Sequence, residues 1–315
     1  MRLEKLGGLT VRLTGGTDGK GGGNGPWVLL LHGFGALGDD LVPLSEYVDA
    51  PAGTRFLFPE APIQIPMGFG DSRAWWMIDM ARIQADRAAG KVRDMSGEIP
   101  RGLPEARERV KALLEDVHKK LGAVPPRTLL GGFSQGAMLS CDALLHSTQP
   151  YAGLIQLSST LVAKQEWAPL LAKRKGLPLY QSHGTQDPIL PFTMAERLRD
   201  EFHQAGLVVD WQPFRGGHEI PEPILRRLGS FILKTLVQKC RVGGWIWQIT
   251  AMQQSFSPPS LPTMNGPSIM TTGILRFFSI SRSFCPCCSR FQGVGFWIWD
   301  AEPAATSGWL VATAL

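Results

Sequence analysis

An α/β fold with a mainly parallel central sheet flanked by helices, in a single domain, is what this chain predicts. Three observations carry that expectation. Trp27-Val-Leu-Leu-Leu31 is a continuous apolar run without alternation, as in a strand covered on both faces. Further runs of this kind alternate along the chain with stretches of helical period. The residues able to do chemistry fall just after these strands, at the sheet edge where such folds hold their ligands.

In chain order, Leu9 to Leu13 alternates polar and apolar and predicts a short edge strand. Gly15 to Gly25 reads as a Gly-rich turn too flexible to pack. It is only superficially like a phosphate loop, because no Lys-Ser/Thr pair closes it. Trp27–Leu31 ends in His32-Gly33-Phe34-Gly35, and Asp39 and Asp40 beyond it are expected to cap a helix. Arg55-Phe-Leu-Phe58 is a second buried strand, stopped by Pro59, and Pro62 and Pro66 keep the next stretch irregular. Pro104 to Leu121 predicts a helix on the stripe Val110, Leu113, Leu114, Val117 and Leu121. Strands are expected at 152–157, 177–181 and 207–213, and helices at 192–204 and 224–237.

Composition narrows the function. Of the Lys and Arg residues five lie from Gln238 onward, against two Asp or Glu, which leaves 27 basic and 25 acidic residues in 1–237. That near neutrality excludes the basic stripe of a nucleic-acid binder. The first residues show no apolar segment with a small-residue cleavage site, and no run of 18 apolar residues exists, so neither a secretory signal nor a membrane span is expected. Cys141 is the one cysteine in 1–237, so no disulfide framework is expected there and a reducing cytoplasm is the default location.

The chain is organised around Thr128-Leu-Leu-Gly-Gly-Phe-Ser-Gln-Gly-Ala-Met-Leu139. An apolar run meets the pentad Gly132-Phe133-Ser134-Gln135-Gly136, and a helix-compatible stretch follows at once. This is the nucleophile-elbow pattern. A turn that tight brings the backbone before Ser134 close to the backbone after it, so side chains at 132 and 136 would collide, and glycine removes them. Two glycines in five residues also arise by chance in a chain with 36 Gly. The context has to agree.

It does, through Asp187 in Ser182-His183-Gly184-Thr185-Gln186-Asp187-Pro188 and His218 in Phe214-Arg215-Gly216-Gly217-His218. Each follows a separate expected strand, and the order Ser, Asp, His is that of α/β-hydrolases. A serine needs a base to take its proton, and an imidazole does so near neutral pH when a carboxylate holds its tautomer. The developing oxyanion needs two donors, expected from the backbone N–H groups of Gln135 and Phe34. His32 and His183 rival His218 as the base, but both precede Gly and are more simply loop-orienting groups bonded to backbone. Asp142 and Asp210 fall inside expected elements, and Asp210 is the next candidate for the acid if Asp187 is not.

Taken together, His32-Gly-Phe-Gly, Gly132-Phe-Ser-Gln-Gly-Ala137, His183-Gly-Thr-Gln-Asp-Pro188 and Gly216-Gly-His218 resemble the phospholipase/carboxylesterase family of α/β-hydrolases, which includes acyl-protein thioesterases and bacterial carboxylesterases. The likeness covers about residues 9–237. It implies a triad of Ser134, Asp187 and His218, with the Phe34 and Gln135 amides as oxyanion hole. Ser72-Arg-Ala-Trp75-Trp-Met-Ile-Asp79 is similar to the family's Trp-containing loop beside the acyl pocket, which makes Trp75 and Trp76 candidate substrate contacts. Because one of two adjacent loop residues should be exposed, one is expected to line the pocket and the other to pack beneath it. The polar stretch Ala81 to Gly102 is longer than the family pattern and would alter access to the site.

The expected activity is a serine carboxylic-ester hydrolase working through an acyl-enzyme on small or medium acyl esters, with no cofactor and no metal. A protein thioester or lysophospholipid is the close alternative, and a non-catalytic ligand-binding member of the fold the distant one. Oligomeric state is not readable from the sequence. Residues 238–315 stand apart: seven charged residues in 78, against 52 in the preceding 237, cannot build a solvated face. Half of the ten Trp and four of the five Cys lie there. Cys285-Pro-Cys-Cys288 has no second Cys/His pair at zinc spacing. The 1–237 segment is thus expected to be the domain, and 238–315 a disordered or non-native extension.

Overall fold

The computed structural model describes residues 1–65, 71–90, 93–238, 251–252 and 277–278. Two units are set apart along the chain, Met1–Val242 and Gly243–Leu315. In the first, the strands are β1 (Arg2–Leu6), β2 (Leu9–Gly16), β3 (Lys20–Gly22), β4 (Trp27–Leu31), β5 (Arg55–Pro59), β6 (Ile63–Gln64), β7 (Arg73–Ala74), β8 (Thr128–Phe133), β9 (Gly153–Leu157), β10 (Pro178–Gly184) and β11 (Val208–Phe214). The helices are α1 (Leu44–Tyr47), α2 (Met80–Ala88), α3 (Leu103–Leu121), α4 (Gln135–Leu145), α5 (Lys164–Leu171), α6 (Phe192–Gln204) and α7 (Glu222–Gln238). The sheet runs β1-β2-β5-β4-β8-β9-β10-β11, with β3 beside β2, while β6 and β7 pair with each other. From β5 to β11 neighbours are parallel, and β2 is antiparallel to both β1 and β5.

The continuous apolar strands are explained by two cores, one on each face. Along β4, Trp27, Leu29 and Leu31 join α3, α4, α5 and α6 in one cluster, while Val28 and Leu30 join Leu228, Phe231, Ile232 and Leu236 of α7 in the other. Every residue of β4 and β9 is therefore buried, though each points to one face only. The helix expected over 104–121 forms as α3, stopped by Gly122 at φ 63, a left-handed cap that a side chain resists.

Three expectations are corrected. Leu9–Leu13 is not an edge strand, because β1 pairs along its outer side through a hairpin whose turn residues, Gly7 and Gly8, both have positive φ. The Arg2–Leu6 segment is largely polar, so it had no apolar signal of its own. Gly15 to Gly25 is not free chain, since Gly15 and Gly16 end β2 and Lys20–Gly22 adds β3. Asp39 and Asp40 do not cap a helix: Pro43 is the N-cap of α1, without a side-chain bond. The 81–102 insertion also carries a helix of its own, α2, whose polar sequence hid it.

The insertion is tied to the domain by backbone bonds from Ala163 N–H to Glu98 C=O and Lys164 N–H to Ser96 C=O, and by the Arg197–Asp94 ion pair. Among the described residues no helix is long and apolar enough to cross a membrane. In the second unit Ala251–Met252 (β12) and Phe277–Phe278 (β13) pair antiparallel. The Cys285–Cys288 cluster, and most of what was expected of 238–315, lies outside the described residues.

Because the sheet, both cores and α7 are complete by Gln238, a chain ending at Val242 is expected to melt cooperatively at the temperature of the full chain. Thermal denaturation followed by circular dichroism checks this. A lost or broadened transition would make the later residues part of the domain's stability.

Candidate active site

β8, in the middle of the sheet, delivers Ser134 at its carboxyl end. The serine backbone sits at φ 54 and ψ −118, a conformation L residues avoid. It is closed on both sides by hydrogen bonds, from Ser134 N–H to Leu157 C=O at 2.9 Å and from Ala137 N–H to Ser134 C=O at 3.0 Å. The two glycines are required by space. A Cβ on Gly132 would fall 2.5 Å from the Gly136 carbonyl carbon, and one on Gly136 would fall 2.1 Å from the Leu31 oxygen. The Ser134 side chain does not cap α4.

The loops after β10 and β11 are interlocked. Thr185 N–H binds Phe214 C=O at 2.8 Å and Gln186 N–H binds Gly216 C=O at 2.9 Å, while a Cβ on Gly184 would lie 2.2 Å from the Gly217 oxygen. This contact sets Asp187 against His218, with Asp187 Oδ2 2.6 Å from His218 Nδ1. A carboxylate only accepts, so Nδ1 carries the hydrogen and Nε2 is left with a lone pair. The Asp187 carboxylate is fully buried, and burial raises its pKa. The His218 hydrogen bond and charge, with the amides of Leu190 and Ile189, outweigh burial and hold it below its ordinary value. Asp210 is not on this histidine; its register partner in β10 is Tyr180, three residues short of His183. The Phe133 ring packs on the His218 ring at 4.8 Å, which brings the imidazole to the elbow.

The loop after β4 lies against the serine. A Cβ on Gly33 would be 3.3 Å from Ser134 Cβ. Ala36 N–H closes a turn on Gly33 C=O with Gly35 at φ 79, which leaves the Phe34 N–H outside the turn's own bonding. Gln135 opens α4, where a backbone N–H has no acceptor inside the helix. The loop is braced by residues that sequence reasoning did not single out. Gly35 N–H bonds Arg73 C=O and Arg73 N–H bonds Ala36 C=O, while Glu60 holds Arg12 and Arg73, and Arg12 also binds Gly38 C=O. Nothing in their spacing marks them, since they come from β2, from the residue just after β5 and from β7.

His32 and His183 are loop-orienting groups, as expected. Ala61 N–H donates to His32 Nε2 at 3.0 Å, so Nδ1 carries the hydrogen and gives it to Gly33 C=O at 2.8 Å. Trp75 and Trp76 are both buried, at 2 % and 3 % exposure, which corrects the expectation that one of an adjacent pair must be exposed. The reason is Gln135. Its side-chain oxygen accepts from Trp75 N–H at 2.9 Å and its amide donates to Trp76 C=O at 2.8 Å, drawing that segment inward. The Trp75 indole N–H then reaches His32 C=O at 3.0 Å, and Gly102 leaves room for Trp76, since a Cβ there would be 2.8 Å from the Trp76 Cβ.

Away from this edge, Asp142, His146 and Glu166 approach closely enough to share a cation. Arg107 already sits among them, 3.2 Å from Asp142 Oδ2 and 2.9 Å from His146 Nε2, and Trp167 donates to Asp142 Oδ1. Arg107 and Trp167 thus already partner the buried Asp142 carboxylate, while His146 and Glu166 lie nearer the surface.

The family model described as phospholipase/carboxylesterase matches residues 22–236. Acyl-protein thioesterase 1 of Kluyveromyces lactis is 31% identical over 220 residues, covering 66% of this chain and 91% of that protein. Acyl-protein thioesterase 1 of Candida albicans is 26% identical over 225 residues, covering 67% and 92%. Among solved structures, esterase PE8 is similar with a TM-score of 0.57 at 26% identity, covering 71% of this chain and 100% of that one.

Gln135→Ala keeps the backbone N–H at 135 but releases the 75–76 segment from it. Labelling of Ser134 by a fluorophosphonate is expected to slow by about tenfold or more, because preorganised donors lose their effect when their support relaxes. An unchanged rate in a folded variant would reduce the clamp to packing.

His32 and His183 are both buried, and burial lowers the pKa of each below the ordinary value of 6.5. As pH falls below 6.5 an unfolded chain takes protons on these rings more readily than the folded one does. Their contribution to stability is therefore complete above 6.5 and is lost as pH falls below it. Melting temperature is expected to be flat from pH 8 to 7 and to decline toward pH 5, with a shallower decline in His32→Gln. An equal slope in that variant would move the effect to other groups.

Proposed function

This chain belongs to the phospholipase/carboxylesterase family of α/β-hydrolases, and we propose that within it the chain is a serine carboxylic-ester hydrolase acting through an acyl-enzyme on small or medium acyl esters. The observation that carries this reading is the 2.6 Å His218–Asp187 bond beside a serine held in the strained elbow. Ser134 Oγ attacks the acyl carbonyl while His218 Nε2 takes its proton. Asp187 holds the imidazole tautomer and stabilises the imidazolium. The carbonyl oxygen becomes an oxyanion and is met by the N–H groups of Phe34 and Gln135. Collapse expels the alkoxide, which takes the proton from His218, and an acyl-Ser134 ester remains. Water activated by the same histidine then releases the acid.

The Ser134–His218 hydrogen bond that this reading requires is one that forms with substrate, since catalytic hydrogen bonds often tighten only in the substrate complex. Trp75 and Trp76 are assigned to the acyl side of the site because they are tied directly to Gln135, the residue behind the nucleophile. A second reading, cleavage of a protein-bound thioester, is favoured by the name carried by the Kluyveromyces lactis and Candida albicans relatives. The chemistry at Ser134 is common to both. The leaving group separates them.

Asp187→Asn is expected to keep the fold and KM while turnover of a short-chain ester falls by on the order of a thousandfold or more. Ser134→Ala and His218→Ala should fall at least as far. The double variant Asp187→Asn with Ser134→Ala should be no worse than Ser134→Ala alone, because residues acting as one unit are not additive. A folded Asp187→Asn with near-normal turnover would remove Asp187 from the site. The same assay with a panel of esters and thioesters ranks the two readings, and higher kcat/KM on thioesters would replace the first by the second.

A further inference from the structure

We infer that His183, which is neither nucleophile, base nor acid in the reaction above, is the positioning residue for the Asp187 carboxylate; the inference rests on the triad reading. His183 lies inside β10 and its side chain is completely buried. Nε2 is 2.9 Å from Leu190 C=O and 3.3 Å from Asp187 Oδ2. Both of these groups only accept, so Nε2 carries the ring hydrogen and His183 is the donor. Its other nitrogen, Nδ1, is buried without a hydrogen-bond partner among the described residues. A proton arriving there would be buried and unmet, which keeps the ring neutral and unfit to act as the base.

The contact matters because of what Leu190 does next. Leu190 N–H donates to Asp187 Oδ1 at 2.9 Å, and Ile189 N–H donates to the same oxygen at 2.8 Å. One residue therefore joins the two side chains: the Leu190 carbonyl is held by His183 and the Leu190 amide holds Asp187. Oδ1 is fixed by two backbone amides, and Oδ2 is left facing His218 Nδ1 with His183 Nε2 beside it. Pro188 and Pro191 bracket the segment, so its backbone has little freedom except by moving as a piece. His183 anchors that piece to β10. Without the anchor the Leu190 carbonyl loses its partner, the 187–190 turn relaxes, and the carboxylate turns away from the geometry that His218 needs. A misplacement of about 1 Å at such a group is enough to cost on the order of a hundredfold in rate.

The test uses the full chain with His183→Leu, which removes the donor, and His183→Gln, whose amide N–H reaches close to the place of Nε2. Folding is followed by circular dichroism and turnover with a short-chain ester. His183→Leu is expected to lower kcat by on the order of ten- to a hundredfold, with KM within about twofold, and His183→Gln to recover most of the loss. In an Asp187→Asn background, His183→Leu should cost nothing more, because the group it positions is already disabled. A folded Leu variant with parental kcat beside a crippled Asp187→Asn would overturn this inference and leave the triad standing. Losses that multiply in the double variant would overturn it too, by showing that His183 acts elsewhere. If Asp187→Asn itself retained turnover, the triad reading would fall and this one with it. Should the Leu variant not fold, His183→Asn, whose shorter amide stops short of Leu190, takes its place with the same outcomes.

Discussion

The backbone at Ser134 is the constraint on which the rest of the site depends. A non-glycine residue in that conformation costs about 1–3 kcal/mol, and it persists only where the surroundings over-determine it. Here they do so by absence as much as by contact. Gly132 and Gly136 let β8 and α4 pass within van der Waals distance of the Leu31 carbonyl of β4, and no side chain larger than hydrogen fits at either position. The elbow therefore fixes β4 against β8. With β4 comes the loop that offers Phe34, already lying against the serine through Gly33.

The second requirement is a buried negative charge. A carboxylate removed from water is costly unless its lone pairs are met. Asp187 is met on Oδ1 by two backbone amides and on Oδ2 by His218, which is why its pKa lies below rather than above the ordinary value despite burial. The loops that achieve this are welded edge to edge at Gly184 and Gly216. Asp187 and His218 thus arrive as one unit from two strands, and the Phe133 ring seats that unit on the elbow. Gln135 links the third part, tying the Trp75–Trp76 segment to the first turn of α4. The polar bonds of the site are mostly to backbone, which is how a group of loops is held as firmly as a helix or a strand.

The order of Ser134, Asp187 and His218, the glycine pair at the elbow and the two-faced burial of β4 were all legible in the residues, because each is a local requirement. A tight turn needs Gly, a strand covered on both faces needs unbroken apolar character, and chemistry gathers after strands. The expected helices over 192–204 and 224–237 formed as α6 and α7 with little change at their ends, since their apolar stripes are long and regular. What was misread is also local in origin. β1 is polar and α2 is polar, so neither announced itself, and β1 was decided by the open side of β2.

What only the tertiary structure decided are the contacts made between distant parts of the chain. Trp75 and Trp76 became buried together because a side chain some sixty positions later hydrogen-bonds their backbone. Arg12, Glu60 and Arg73 brace the loop after β4 from three separate parts of the chain, and no spacing rule relates them. His183 could be seen as a loop-orienting residue from its place before Gly184, but not as a neighbour of the Asp187 carboxylate. That depends on the path from Asp187 to Leu190, where a hydrogen bond of 2.9 Å returns the chain to the strand it left. Sequence determines which groups are able to react, because chemistry belongs to residue type. Which of them meet is determined by packing, because distance is a property of the folded chain alone.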